Sequence, residues 1–447
     1  MHWSIRNITA RLALAGPLPR LFLLAYIAMI SGCGDATAPE RNTVLDAWAH
    51  AGQELERSTL VDQVLRFNAA HRDLRVRLTL IPEGSYNAQV QAAAAAGELP
   101  DLLEFDGPFL YGYVWQGRLQ PVDRLLTPHL LSDLIPSIIA QGTYHGRLWS
   151  VGAFDSGLGL YADRTRLARA GIPIPTPARP WTSLEFTEIL DRLAADDPDG
   201  QVLDLKLNYA GEWYTYAFSP LIQSAGGDLV ERNGSGRATG ILNGPETVRA
   251  MTIVQDWIIS GRVDPNIDDA AFITGRTALA MGGHWNWSQY REHLGRDLLL
   301  LPLPDFGRGP RTGQGSWSWA VTADSLNPEA ASRFLSFLLR PEEVLAITRA
   351  NGAVPATRSA VSRSRDYRPG GPLHIFVEQL ETGAAIPRPR TPAYPVITAA
   401  FQKSFDRIRS GGDVQAALDR AARMIDLEIE DNQGYPLIGR GREEAMR

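Results

Sequence analysis

The sequence predicts an α/β protein with two domains. Strand patterns and helix patterns alternate through the first part of the chain, as they do in βαβ units that build a parallel sheet. The chain has 447 residues, which is more than one hydrophobic core normally accommodates. We therefore expect strands covered by helices in at least one of the two domains.

The first half of the chain supplies the strands of this prediction. Residues 43–49 form an apolar alternating strand, and residues 58–70 repeat their apolar side chains at the period of an amphipathic helix. Residues 74–81 alternate again, residues 86–96 form an alanine-rich helix, and residues 101–105 form a short buried strand. This order predicts parallel pairing of the strands.

The second half of the chain is richer in predicted helix. Helical patterns cover residues 246–260, 328–339 and 414–428, and Asn327 is the predicted N-cap of the middle one. Residues 386–395 contain four prolines, so this segment is predicted to be extended. An extended segment held against a folded body is expected to line a surface or a cleft.

The amino terminus has the features of an export signal. Three arginines precede the apolar residues 21–30, which are too few to cross a bilayer as a helix. Cys33 is the only cysteine of the chain, and the Ser-Gly pair before it resembles the lipobox of bacterial lipoproteins. We predict a signal peptide over residues 1–32, a lipid on Cys33 and a flexible tether over residues 33–42. The alternative is a small buried cysteine.

The composition excludes several classes of function. The net charge is −6, so no basic face for nucleic acid is predicted. The eight histidines lack the spacing of metal ligands, and the chain has no phosphate-binding glycine loop, so neither a metal nor a cofactor is predicted. The eleven tryptophans, many of them beside glycine or polar residues, indicate flat surfaces for a ligand.

Several short motifs, in a fixed order, resemble those of one known family. Residues 67–76 contain its Phe and Val positions with Arg72 in place of the usual Pro, and residues 160–173 contain its Tyr and Gly positions with Ala162 in place of Asn. Residues 271–287 contain the most specific motif, which ends in Gly-x-Trp. Further segments that fit the series are residues 94–102, 327–331, 334–338, 341–343, 351–355 and 393–395. Together they resemble the family 1 extracellular solute-binding proteins of ABC importers, which include the maltodextrin-binding protein.

This resemblance implies a two-lobed periplasmic-binding-protein clamp of the type II kind, with the ligand in a cleft between the lobes. The chain would cross the hinge several times, near residues 153–158, 303 and 345. The implied boundaries are residues 43–154 and 303–345 for the first lobe, and residues 155–302 and 346–447 for the second. Closure of the lobes would bury the ligand.

The aromatic candidates for ligand contact lie in four segments. Trp213 and Tyr214 belong to a dense aromatic stretch without a core period, and we expect at least one of them to face the ligand. The resemblance makes Trp285 the ligand-stacking tryptophan, while Trp287 fits either the ligand or the core.

Two later segments add further aromatic candidates. Trp317 and Trp319 alternate along a predicted strand, so both are expected on one face, with Trp317 directed toward the cleft. Tyr394 matches the late aromatic segment that closes on sugar in relatives.

The polar candidates follow predicted strands or lie at the expected hinge. His50 ends the first strand, Glu83 follows the second, and Asp106 follows the third, where open α/β sheets bind ligands. The resemblance gives Asp155, at the end of a predicted strand over residues 148–154, an acidic ligand-contacting role. A turn role for Asp106 remains open, and Arg358 fits either the ligand or solvent.

These patterns predict a membrane-tethered binding protein rather than an enzyme. The resemblance implies a monomer, in the periplasm or on the cell surface, that captures a di- or oligosaccharide and delivers it to the permease subunits of an ABC importer. A secreted glycoside hydrolase that uses Asp106 and Asp155 is a second hypothesis. A receptor for a polyol or a glycerol phosphoester, and a sensor that docks on a membrane receptor, are also compatible with these residues.

Overall fold

The computed structural model describes residues 43–233 and 236–436, so Cys33, the predicted signal peptide and the predicted tether lie outside the described residues. The strands of the described chain are β1 (Thr43–His50), β2 (Leu74–Ile81), β3 (Leu102–Asp106), β4 (Leu119–Gln120), β5 (Thr143–Tyr144), β6 (Arg147–Leu148), β7 (Phe154–Asp155), β8 (Leu158–Asp163), β9 (Leu203–Asp204), β10 (Leu279–Gly283), β11 (Leu298–Leu301), β12 (Thr312–Gln314), β13 (Trp317–Thr322), β14 (Val354–Pro355) and β15 (Ala385–Pro387).

The α-helices of the described chain are α1 (Glu54–Ala70), α2 (Glu83–Ala96), α3 (Leu110–Trp115), α4 (Pro128–Asp133), α5 (Pro136–Gly142), α6 (Arg164–Arg169), α7 (Ser183–Ala195), α8 (Glu212–Ala225), α9 (Pro245–Ile259), α10 (Trp287–Leu294), α11 (Pro328–Leu338), α12 (Pro341–Asn351), α13 (Arg358–Arg363), α14 (His374–Glu381), α15 (Tyr394–Arg409) and α16 (Val414–Asp431). Short 3-10 helices cover Gly107–Phe109, His284–Asn286 and Gly295–Asp297.

The first sheet has the strand order β2-β1-β3-β13-β4. β1 pairs in parallel with β2 and β3, which confirms the predicted βαβ pattern of the first half. β13 enters from the second half of the chain and runs antiparallel to both β3 and β4. The sheet is therefore mixed, because a distant strand completes it on one side.

The second sheet has the strand order β11-β8-β10-β9. β8 runs antiparallel to β10 and β11, and β9 runs parallel to β10. Its largest apolar cluster joins Leu158 and Leu160 of β8 to Phe218 of α8 and to Phe401 and Phe405 of α15. The helices of the carboxyl-terminal half therefore cover this sheet.

The first sheet has apolar clusters on both of its faces. On one face Leu45 and Ala47 of β1 pack with Phe334 of α11. On the other face Leu103 and Phe105 of β3 pack with other buried apolar side chains. Alternate residues of a strand point to opposite faces, which explains why the predicted buried strand at residues 101–105 contributes to both clusters.

Two small strand pairs lie where the chain passes between the two large sheets. β7 pairs with β14 in antiparallel fashion, and β12 pairs with β15 in parallel fashion. The residues described here belong to one compact unit within Asn42–Arg447. The predicted lobe boundaries stay a prediction. Within the described ranges, no helix is long and apolar enough to cross a membrane.

Three local predictions were wrong. Residues 386–395 are extended only at their start, because α15 begins at Tyr394. Pro395 lies in the first turn of this helix, where the fixed backbone angle of proline is compatible with helical structure. Asn327 precedes α11 but makes no capping hydrogen bond with its side chain. The predicted strand over residues 148–154 is interrupted between β6 and β7.

Candidate functional site

A cleft of about 510 Å³ lies between the two large sheets. It is lined by residues at the ends of β1, β3 and β10, at the starts of α2, α8 and β13, and after β15. We call its two sides the first wall (His50, Glu56, Glu83, Asp106 and Trp317) and the second wall (Trp213, Tyr216 and Trp285). A volume of this size is typical of small-molecule sites.

His50 is the centre of a buried polar network in the first wall. Its Nδ1 lies 2.7 Å from Glu104 Oε2, and its Nε2 lies 3.9 Å from Glu56 Oε2. Burial alone would lower the pKa of His50, but the charge and hydrogen bond of Glu104, helped by Glu56 and Glu83, raise it from 6.5 to about 9. His50 is therefore a buried cation at neutral pH.

Trp317 adds an aromatic surface to the first wall. Its ring stacks on His50 with centroids 3.7 Å apart and planes 4° from parallel, and it meets the ring of Tyr86 edge to face at 5.3 Å. Stacking on a protonated imidazole is a favourable cation–π arrangement. The same contacts hold the indole ring in one orientation at the cleft.

Arg388 connects the two sides at the base of the cleft. Its guanidinium binds both oxygens of Asp106 at 2.5 and 2.6 Å, and it binds Glu212 Oε2 at 3.0 Å. Asp106 ends β3 of the first sheet, whereas Glu212 begins α8 beside the second sheet. This bidentate geometry is the strong form of an arginine–carboxylate pair, and it fixes the relative position of the two carboxylates.

The second wall is a cluster of aromatic rings around Trp285. The ring of Trp285 lies 6.1 Å from that of Trp213 and 6.2 Å from that of Tyr216. Both neighbours use their polar atoms inside the protein: Trp213 Nε1 donates to Leu205 O at 3.1 Å, and the Tyr216 hydroxyl donates to Ser156 Oγ at 2.7 Å. Trp213 and Tyr216 therefore offer a ligand mainly the faces and edges of their rings.

The backbone before Trp285 is shaped to receive its ring. A Cβ atom placed on Gly283 would lie 2.1 Å from Trp285 Cζ3, which is far inside van der Waals contact. The φ angle of Gly283 is −96°, so space rather than backbone conformation requires glycine at this position.

The cleft thus offers aromatic planes on one side and charged hydrogen-bonding groups on the other. Sugars present apolar C–H faces and rings of hydroxyls, which match these two kinds of surface. Within residues 43–233 and 236–436, no group of three or more His, Cys, Asp or Glu side chains is arranged to hold a metal ion. The geometry favours binding of an organic solute.

Comparison with known proteins gives the family. The family model described as bacterial extracellular solute-binding protein matches residues 63–367. This match covers more than half of the chain. The chain belongs to the bacterial extracellular solute-binding proteins.

Individual relatives of this solute-binding protein are distant but cover most of its length. An uncharacterized lipoprotein of Streptomyces antibioticus is 24% identical over 423 residues, which are 89% of this chain and 90% of the relative. The maltotriose-binding protein of Pyrococcus abyssi is 22% identical over 74% of this chain and 71% of the relative.

A solved structure gives the fold. The cyclic α-maltosyl-1,6-maltose binding protein of Arthrobacter globiformis aligns with a TM-score of 0.71 at 24% identity, over 87% of this chain and 99% of the other. This likeness confirms the predicted two-lobed α/β clamp.

Six of the predicted site residues of this solute-binding protein line the cleft together: His50, Glu83, Asp106, Trp213, Trp285 and Trp317. The first three end β1, begin α2 and end β3, as expected for ligand sites at the carboxyl ends of strands. Their contact with a ligand stays a prediction.

Two predicted aromatic residues do not line the cleft. Tyr214 is buried, its ring stacks on Phe405 at 4.9 Å, and its hydroxyl donates to Leu207 O. The aromatic stretch does have a helical period, because residues three or four positions apart share a face of α8. Trp213 and Tyr216 therefore face the cleft, while Tyr214 and Phe218 face the core. Trp287 begins α10 and packs between apolar clusters.

Three more predicted residues also lie outside the cleft lining. Asp155 is fully buried and accepts hydrogen bonds from Gln141 Nε2 and from the backbone N–H of Gly315, beneath the turn that leads to Trp317. Tyr394 is fully buried, and its hydroxyl donates to Glu212 Oε2 at 2.5 Å. Arg358 is exposed at the start of α13. Asp155 and Tyr394 thus position cleft residues without lining the cleft themselves.

The expectation that Trp317 and Trp319 share one face was wrong. Trp319 packs with Phe334 on one face of the first sheet, whereas Trp317 joins Tyr86 on the other. Trp317 is the first residue of β13 and follows Gly315, which has a φ angle of +105°. Trp317 therefore lies beside this turn, and its ring departs from the alternation of side chains expected along a strand.

Sequence reasoning missed five charged residues at or directly behind the cleft: Glu56, Glu104, Glu212, Asp269 and Arg388. Arg388 lies in the proline-rich segment that was expected to line a surface or a cleft, so the segment was identified but the residue was not. Glu212 lies inside the aromatic stretch. Glu104 lies within a short apolar strand, and a carboxylate at a buried position is a signal that a cationic partner must be nearby.

Proposed function

We propose that this solute-binding protein captures a carbohydrate, a di- or oligosaccharide, in the cleft between the two large sheets. The observation that carries the proposal is the pairing of an aromatic wall around Trp285 with a charged wall around His50 and Asp106 in one cleft. Ring faces of a sugar would stack on the second wall, and its hydroxyls would bind the charged groups of the first. The names of the relatives from Pyrococcus and Arthrobacter, which are binding proteins for sugars, support this ligand class.

The positions of Asp106 and Asp155 argue against the glycoside hydrolase that would use this pair. That reaction needs two carboxyl groups on opposite sides of the bond, one of them able to give a proton. Asp155 is fully buried away from the cleft lining, and both carboxyl oxygens of Asp106 already accept hydrogen bonds from Arg388. Binding without bond cleavage is therefore the function we propose.

The charges of the cleft also argue against a phosphoester ligand. Among the described residues, five acidic side chains line it, those of Glu56, Glu83, Asp106, Glu212 and Asp269. The cations His50 and Arg388 are already engaged by carboxylates. The negative charge of a phosphate would meet repulsion rather than a free cationic partner.

We further propose that the protein is a monomer tethered outside the cytoplasm by a lipid on Cys33 and that it delivers its ligand to the permease of an ABC importer. The lipobox-like sequence and the lipoprotein among the relatives support the tether. Metabolic labelling with an alkyne-bearing fatty acid tests it: label is expected on the wild-type protein and absent from Cys33→Ser. Equal labelling of both proteins would contradict the tether.

A thermal-shift screen tests the binding function. Protein beginning at Gly34 is heated with mono-, di- and trisaccharides, polyols and glycerol phosphoesters, and each recovered ligand is analysed by mass spectrometry. A ligand at a hundredfold excess over its Kd stabilises the folded state by about 2.7 kcal/mol, so the melting temperature rises. We expect the largest shift with a sugar that is recovered intact. A cleaved sugar, or a shift with phosphoesters alone, would contradict the proposal.

A further inference from the structure

We infer that a second pocket continues the sugar site, so that the protein holds a glycan longer than the cleft itself. This inference rests on the proposed carbohydrate function. The second pocket has a volume of about 500 Å³, and it lies between α2 and α3 on one side and α15 and α16 on the other. It would bind the sugar units that extend beyond the two walls of the cleft.

The two pockets meet at a shared border. Asn87, Gly211 and Glu212 line both of them. Gly211 has a φ angle of +66°, and a Cβ atom built on it would meet no other atom within 4 Å. The backbone at this point therefore borders open space, and a chain of sugar units can pass over it from the cleft to the second pocket.

The second pocket repeats the chemistry that suits a sugar. Trp115 meets the ring of Tyr435 edge to face at 5.1 Å, and its indole Nε1 donates to Pro436 O at 3.2 Å, so its ring has a fixed position. Phe109, Pro392 and Pro395 add apolar surface to the same pocket. Planar and apolar surfaces of this kind match the C–H faces of sugar rings.

Side-chain amides supply the polar groups of the second pocket. Gln91 of α2, Gln116 after α3 and Gln402 of α15 all line it. Each amide carries both a hydrogen-bond donor and an acceptor, as a hydroxyl group requires, and none adds charge.

The carboxylates of the second pocket are already engaged. Among the described residues, its lining contains two of them: Glu212, which binds Arg388 and Tyr394, and Glu428, which accepts from the Tyr435 hydroxyl. The lining therefore suits a neutral glycan segment.

A chain-length series tests this inference. Kd is measured by calorimetry for malto-oligosaccharides and for β-1,4-linked gluco-oligosaccharides of two to six units, with wild-type protein, Trp115→Ala and Gln402→Ala. We expect the wild-type affinity to rise roughly three- to tenfold once the glycan is long enough to reach Trp115, which is the worth of one added aromatic contact. In both variants this gain is expected to shrink, while the affinity for the disaccharide stays unchanged.

A matched control comes from the same region of the protein. Gln89 lies on α2 near Gln91 but donates to Ser85 Oγ and does not line the pocket. Gln89→Ala should therefore keep the wild-type dependence on length. Unliganded melting temperatures report whether each variant is folded.

The outcomes separate the inference from the function on which it rests. If disaccharides bind but affinity does not rise with length, or if it rises equally in Trp115→Ala, Gln402→Ala and wild type, the second pocket is not part of the site. If no member of either series binds, the carbohydrate function itself is contradicted for these glycans and the inference falls with it.

Discussion

The first wall of the cleft is mainly charged, and His50 and Asp106 in it form ion pairs, whereas the second wall is made of aromatic rings, two of which, Trp213 and Tyr216, bind the protein interior through their polar atoms. In the first wall the cation of His50 is surrounded by Glu104 and Glu56. In the second wall Trp285 is packed between Trp213 and Tyr216. Both walls present fixed surfaces, but ion pairs hold the first wall in place and the packing of rings holds the second.

This difference separates two kinds of contribution. Removing one partner from a buried ionic network leaves an unpaired charge. Changes to the charged residues of the first wall, or to Arg388 at the base of the cleft, should therefore lower the folding stability and alter its dependence on pH. Removing a ring at the margin of an aromatic cluster mainly removes a surface for the ligand. Substitutions in the two walls should therefore have effects of different size and kind.

The largest effect is expected for Arg388→Met. This change leaves the buried Asp106 and the partly buried Glu212 without their shared cation, which costs ~3–5 kcal/mol of unfolding free energy. Urea denaturation measures the loss. Arg358→Met is the matched control, because Arg358 is exposed at the start of α13 and should change stability by less than ~0.5 kcal/mol. Equal stability of the two variants would contradict the role of Arg388.

The protonation of His50 should make folding stability depend on pH. Its pKa rises from 6.5 to about 9 in the folded protein, so the protonated form is favoured by folding. The stabilisation is complete below pH 6.5, decreases as the pH rises, and is lost above about pH 9, with a total on the order of 3 kcal/mol.

Unfolding by urea at several pH values measures this dependence. His50→Gln should remove the decrease between pH 6.5 and 9, whereas His129→Gln, at an exposed position, should retain it. A wild-type stability that is constant across this range would show that His50 is not protonated in the folded state.

The second wall is tested by Trp285→Ala, which should weaken sugar binding by roughly 30-fold or more, as for a well-packed aromatic contact worth ~2 kcal/mol. Its unliganded stability should change less than its affinity, because Trp285 is only partly buried at the cleft. Trp287→Phe is the control two positions on, outside the cleft lining, and should keep the wild-type Kd measured by calorimetry. If Trp287→Phe weakened binding as strongly, the assignment of the second wall would be wrong.

The smallest effect is expected for Glu83→Gln. Glu83 is exposed at the first turn of α2 and lines the cleft, so a hydrogen bond from a sugar hydroxyl to its carboxylate competes with water. We expect affinity, measured by calorimetry, to fall by about two- to fivefold, with little change in stability. A change in melting temperature without a change in Kd would show that Glu83 stabilises the fold, through its charge next to His50, and does not bind the ligand.

The sequence predicted the parts of this molecule that repeat regularly. The strands β1 and β2 and the helices α9, α11 and α16 follow from apolar periodicity. Trp213 was found because a dense aromatic stretch is conspicuous, and Trp285 because the motif that it ends resembles that of the family. The expected cleft at the carboxyl ends of β1 and β3 also follows from their order in the chain.

The parts that depend on packing between distant segments could not be read in this way. Arg388 meets Asp106 across 282 positions of the chain, and no local pattern links them. Asp155 and Tyr394 have the right residue types but are turned inward by the turn at Gly315 and by the start of α15. Local chemistry therefore identifies candidate segments, and tertiary packing decides which side chain reaches the cleft.

Hydrogen–deuterium exchange with the sugar that gives the largest thermal shift tests most directly whether the two walls hold one ligand. Saturating sugar should slow exchange in peptides from both walls together, namely residues 48–56 and 83–90 of the first and residues 209–217 and 283–288 of the second. Peptides from α6, which lies away from the cleft lining, should be unchanged. Protection of one wall alone, or protection elsewhere with both walls unchanged, would contradict the account.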